Sequence, residues 1–205
     1  MRAAGDCVPV PLLVPVGGRF DPGTALAGVD GLLVCGGLTP AYQEAFADCL
    51  DRLPRMLAER RVPYAGFSAG AAVAARDAVV GGWLSDGVAV CPEDTAEDLA
   101  EVEVRPGLGL VPFGVDVHAA QWGTLARLVA AVADGRIPWG AAVDENTVVE
   151  VDQEGRARVA GLGRAHTVRP APGDRSDELA CHEPRSHTPT GVGVLVRSYP
   201  AGGCF

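Results

Sequence analysis

At 205 residues, 48% of them apolar, the chain is long enough to bury about 70% of its unfolded surface in one domain, which excludes a disordered protein. A formal net charge of −9 argues against nucleic acid or an anionic membrane as its main partner. No run of about eighteen uninterrupted apolar residues occurs, so no membrane-spanning helix is expected.

The chain opens with one Arg and an early Asp before Val8-Pro9-Val10-Pro11, a poor core for a signal peptide, so a cytoplasmic protein is expected. Pro11 to Val16 reads as a first strand ending at Gly17-Gly18, and Asp30 to Cys35 as a second closed by Gly36-Gly37. Continuous apolar runs of this kind suit strands covered on both faces, as in parallel sheets. After Thr39-Pro40, an N-cap and a first-turn proline, apolar residues at Tyr42, Phe46, Leu50, Leu53 and Leu57 predict one helix with one apolar stripe.

Pro63 then marks the change to a short apolar strand that meets Gly66-Phe67-Ser68-Ala69-Gly70 and runs into an Ala-rich helix start. This is the layout of a nucleophile elbow, in which a serine sits on a tight strand-to-helix turn and two glycines avoid collisions between the two elements. With 27 glycines in the chain, the five-residue pattern also arises by chance, and the flanking strand and helix former are what give it weight. Gly36-Gly37 reads alone as a tight turn; if its strand neighbours the elbow, the N–H of Gly37 or Gly36 and that of Ala69 converge as an oxyanion hole.

From Glu93 to Glu103 six acidic residues crowd together, read as a solvated helix face or, more sharply, as a cation-selecting rim over the site. A turn-rich stretch from Arg105 leads to a strand ending at His118, followed by a helix with Leu125, Leu128, Val129 and Val132 that closes at Asp134-Gly135. Trp139 to Val143 is a further strand ending in Asp144-Glu145-Asn146, and Thr147–Val151 with Arg156–Val159 reads as a hairpin. A polar, turn-rich excursion from Pro170 to Pro189 precedes a last strand at Val192–Val196.

This alternation predicts an α/β fold in a single domain over residues 1–205, with a mostly parallel sheet flanked by helices and its chemistry at the carboxyl ends of the strands. A serine nucleophile needs a base and a group to hold that base. Of the four histidines, His118 ends one predicted strand and Glu145 ends the next, so both reach the sheet edge that carries Ser68. The six scattered cysteines are expected as reduced thiols; Cys181, His182, His187 and Cys204 match no zinc spacing, so neither metal nor organic cofactor is expected.

Gly66 to Ala71, Pro106 to Leu110, Asp116-Val117-His118, Arg127-Leu128 and Asp144 to Thr147 resemble, in that order, the serine peptidase family containing dipeptidase E and cyanophycinase, with Cys35 to Thr39 similar to its Gly-Gly-Asn-Thr loop. The resemblance implies a class I glutamine-amidotransferase-like fold, a flavodoxin-like three-layer sandwich. It also implies Ser68 as nucleophile, His118 as base, Glu145 as its acidic partner, and Gly37 and Ala69 as oxyanion donors. Gly36, Asp116, Trp122 and Arg127 would face a small peptide substrate. The chain departs from the family where Trp122 and Thr124 replace closely spaced arginines that bind carboxylate, leaving Arg127, which puts aspartyl specificity in question. Leu38 replaces a common Asn, and only 67 residues precede Ser68, so an exposed sheet edge that a second copy covers in a homodimer is expected. Two other readings stand beside this one. An α/β-hydrolase would pair Ser68 with His166 and Asp144 or Glu145; a non-catalytic relative would bind a peptide or protein.

Overall fold

A computed structural model describes residues 7–172 and 192–205. Its elements run α1 (Pro22–Ala25), β1 (Leu32–Val34), α2 (Thr39–Phe46), a 3-10 turn at Ala47–Cys49, α3 (Arg52–Arg60), β2 (Tyr64–Gly66), α4 (Ala69–Ala72) and β3 (Asp77–Gly81). They continue with β4 (Leu84–Ser85), β5 (Val88–Ala89), a 3-10 turn at Glu93–Thr95, β6 (Glu103–Pro106), β7 (Gly114–Val117), α5 (Ala119–Trp122), α6 (Leu125–Ala133) and β8 (Gly140–Val143). The last strands are β9 (Thr147–Val151), β10 (Ala157–Gly161), β11 (Arg164–Pro170) and β12 (Val194–Pro200).

The fold is mixed α/β, assembled from small sheets. β1 and β2 pair in parallel, Val34 opposite Gly66. β7 and β8 pair in parallel inside a four-stranded sheet of order β12-β11-β8-β7, whose other two pairings are antiparallel. The elbow helix α4 bridges these halves, packing on β1, β2 and β7. One apolar cluster gathers Phe20, Leu26, Val34, Phe46, Leu53, Leu57 and Val73 around the first pair; a second gathers Val79, Leu128, Val132, Ile137 and Val168 between α6 and the larger sheet.

Several expected elements take a different form. Pro11–Val16 makes no strand, and Val10, Leu12, Leu13 and Val16 are exposed. Pro9, Pro11 and Pro15 lack the N–H donors that a ladder needs. The single helix expected over Tyr42 to Leu57 is two helices joined by a 3-10 turn. Pro54 has no N–H for residue 50 and its ring opposes that carbonyl, so the helix restarts within one turn of it while Phe46, Leu53 and Leu57 still reach the core. The acidic segment is a 3-10 turn and loop, with Glu97 and Asp98 at φ values of 57° and 62° that no helix accommodates. β11 was not anticipated, whereas the β9/β10 hairpin forms with Val151 opposite Ala157. Most of the expected Pro170–Pro189 excursion lies outside the described residues.

Candidate active site

The elbow is built by close backbone approach. A Cβ on Gly66 would collide with the Gly70 carbonyl oxygen and lie 2.6 Å from its carbon; a Cβ on Gly70 would collide with the Val34 carbonyl oxygen. α4 can therefore sit directly over the β1/β2 pair only because both positions lack side chains. Ser68 takes φ 52° and ψ −116°, a sparsely populated backbone state that lifts its side chain off the strand line. The Tyr64 hydroxyl donates to the Gly70 carbonyl at 2.6 Å and ties the start of β2 to the helix. Burial pushes that phenol above the ordinary tyrosine range.

His118 follows β7 as Ser68 follows β2. It too has a left-handed backbone, φ 59°. Its Nε2 lies 3.0 Å from Ser68 Oγ, and its Nδ1 lies 3.1 Å from Glu145 Oε1. Glu145 stands just past β8, the parallel neighbour of β7, and the Gln121 amide oxygen accepts from its backbone N–H at 2.9 Å. Three side chains distant in sequence thus meet beyond the ends of β2, β7 and β8.

Gly36 and Gly37 follow β1. A Cβ on Gly36 would lie 2.8 Å from Ser68 Cβ, so this loop presses against the serine, and the Tyr42 hydroxyl donates to the Gly36 carbonyl at 2.8 Å. Gly70 N donates to the Cys35 and Phe67 carbonyls and Ala71 N to Ser68, whereas Ala69 opens the helix, where N–H groups have no intrahelical acceptor.

A cleft of about 760 Å³ opens on Ser68, lined by Gly37, Leu38, Trp83, Trp122 and the acidic segment with Glu93, Asp94, Glu97 and Asp98. Glu97 is tethered there, its carboxylate accepting the Thr39 N–H at 2.8 Å. Trp122 stacks on the His118 ring, centroids 4.0 Å apart and planes 17° from parallel.

Asp116 and Arg127 are not among the residues lining this cleft. Asp116 is 1% exposed and Arg127 4%, and they form a bidentate pair, Nε to Oδ2 at 2.8 Å and Nη2 to Oδ1 at 2.7 Å. Arg127 also donates to the Thr95 carbonyl at 2.7 Å, below the acidic segment. Burial opposes its charge, but the Asp116 carboxylate and its hydrogen bonds outweigh that, so the guanidinium stays charged and its pKa rises. In sequence Arg127 read as a carboxylate binder; the partner that consumes it, Asp116, sits two residues before His118, a separation along the chain that only folding closes.

His166 is turned elsewhere as well. On β11 its Nδ1 pairs with Ser198 Oγ at 2.7 Å and its Nε2 with Asp144 Oδ1 at 3.3 Å. Asp144 in turn accepts from the N–H groups of Ala120 and Arg164. Sequence reading missed this role: Asp144 fastens the start of α5 and the strand β11 on either side of Glu145. Cys181, His182 and His187 lie outside the described residues.

No protein-family model matches the chain. Over 149 residues, 72% of the chain, it is 30% identical to the cyanophycinases of Trichormus variabilis and of a Nostoc species. That stretch spans 45% of each cyanophycinase. The structure superposes on a crystal structure of a peptidase from an acI-B1 Actinobacterium with TM-score 0.51 and 16% identity, over 86% of this chain and 59% of that one. In sequence the chain is similar to these cyanophycinases, and in fold it is like that peptidase structure. No helix among the described residues is long and apolar enough to cross a membrane.

Proposed function

We infer that the protein is a serine hydrolase of the dipeptidase E and cyanophycinase kind, with a class I glutamine-amidotransferase-like fold, acting on an amide bond of a small peptide. The observation that carries this reading is the chain of contacts from Ser68 Oγ to His118 Nε2 and from His118 Nδ1 to Glu145. Similarity to cyanophycinases supports it from the side of sequence.

In this reading Ser68 Oγ attacks the amide carbonyl while His118 Nε2 takes its proton, and Glu145 holds the Nδ1–H and stabilises the imidazolium that forms. The N–H groups of Gly37 and Ala69 receive the developing oxyanion. His118 then protonates the leaving amine, and water activated by the same imidazole clears the acyl ester. With Arg127 held by Asp116, no aspartyl preference is assigned.

The test is labelling with a fluorophosphonate, followed by intact-mass measurement and by screening against a dipeptide library. Wild type is expected to gain one adduct, Ser68→Ala and His118→Ala none, and His166→Ala to label as wild type does. Loss of labelling in His166→Ala alone would favour the α/β-hydrolase arrangement. A wild type that neither labels nor turns over any dipeptide would point to a binding protein.

A further inference from the structure

His118 caps the start of α5 and Trp122, four residues on, ends it, the Trp122 backbone N–H donating to the His118 carbonyl at 2.8 Å. Across this turn the two rings meet face to face. Gly123, at φ 73°, ends the helix immediately after, so the indole closes that turn instead of being covered by a further one. One indole face lies on the imidazole at 4.0 Å, and the ring, 43% exposed, also lines the cleft with Ser68.

Such a stack has two physical consequences. It fixes the plane of the imidazole, and with it the aim of Nε2 at Ser68 Oγ. It also sets the electron-rich face of the indole against positive charge that develops on the ring as the serine proton is taken. The other groups bearing on His118 are Glu145 at Nδ1 and Ser68 at Nε2. Glu93, Asp94, Glu97 and Asp98 line the cleft, and the Asp116–Arg127 pair is buried between β7 and α6.

We propose that Trp122 is a positioning residue for the base: its indole holds the His118 ring in line with Ser68 and stabilises the imidazolium formed as the serine proton is taken. The proposal rests on the hydrolase reading above.

The experiment measures the rate of fluorophosphonate labelling of Ser68 against pH in wild type, Trp122→Phe and Trp122→Leu, with the imidazole proton resonances of His118 recorded in parallel. The Leu variant is expected to label roughly 2- to 5-fold more slowly on the plateau. Phe restores most of that rate, and in wild type the His118 resonances carry an upfield ring-current shift that the Leu variant lacks. A Leu variant that labels at the wild-type rate, while wild type labels, overturns this proposal alone. A wild type that never labels overturns it together with the hydrolase reading.

Discussion

Ser68 and His118 share a backbone habit that neither residue adopts without cause: each lies within two residues of the end of a parallel strand and each has a positive φ, 52° and 59°. A non-glycine residue held there costs on the order of 1–3 kcal/mol and persists only where its surroundings fix it. The surroundings here are the bare glycines of the elbow and the stacked indole. Both strained residues aim their side chains at one another, which is what makes the strain informative about function. Glu145 is placed without such strain and is more open to solvent. In Glu145→Gln the amide no longer stabilises the imidazolium, so Ser68 labelling is expected to slow by roughly 10²-fold or more, with the thermal midpoint little changed. Stopped-time mass measurement alongside thermal unfolding checks both. The three residues were legible in sequence because each terminates an apolar run. Arg127 was misread because its type fits a substrate carboxylate and a buried Asp116 equally well.

At the scale of elements, the elbow is a joint between β2 and α4 pinned by the Tyr64 hydroxyl on the Gly70 carbonyl. Because burial holds the phenol protonated in the folded state, the unfolded chain ionises first, from its ordinary value of 10.0. This contribution to stability is complete below that value and declines as pH rises past it, towards the higher value of the folded state. Urea midpoints at about pH 8 and about pH 11 are therefore expected to fall more steeply in wild type than in Tyr64→Phe, which is less stable at the lower pH but lacks that alkaline loss. The same scale explains the helix break after Phe46. Apolar spacing alone continues through Leu57, and the reading failed because periodicity does not register a missing N–H at Pro54.

For the whole molecule, the Asp116–Arg127 pair joins the strand before His118, the helix after it and the carbonyls of Gly82 and Thr95 beneath the acidic side of the cleft. Arg127→Met leaves Asp116 charged and buried, and a loss of roughly 3–5 kcal/mol is expected. Adding Asp116→Asn should recover part of it, because the two effects are coupled. Denaturant unfolding of the single and double variants measures this. The apolar segment before β1 stays exposed at Val10, Leu12, Leu13 and Val16 and contributes no strand to any of the five sheets among the described residues.

The sequence by itself determined the elements whose cause is local. These are the strands that carry Ser68, His118 and Glu145, the glycines that a sharp turn demands, the helix closing at Gly135 and the hairpin turning at Asp152 to Gly155. Tertiary structure alone decided the partners. It split the expected sheet into separate pairs and a four-stranded sheet, set His166 against Ser198 and Asp144, buried Arg127 on Asp116 and laid Trp122 on His118. The division follows from range: propensity and periodicity act over a few neighbouring residues, whereas which charges pair and which rings stack depends on the chain closing on itself.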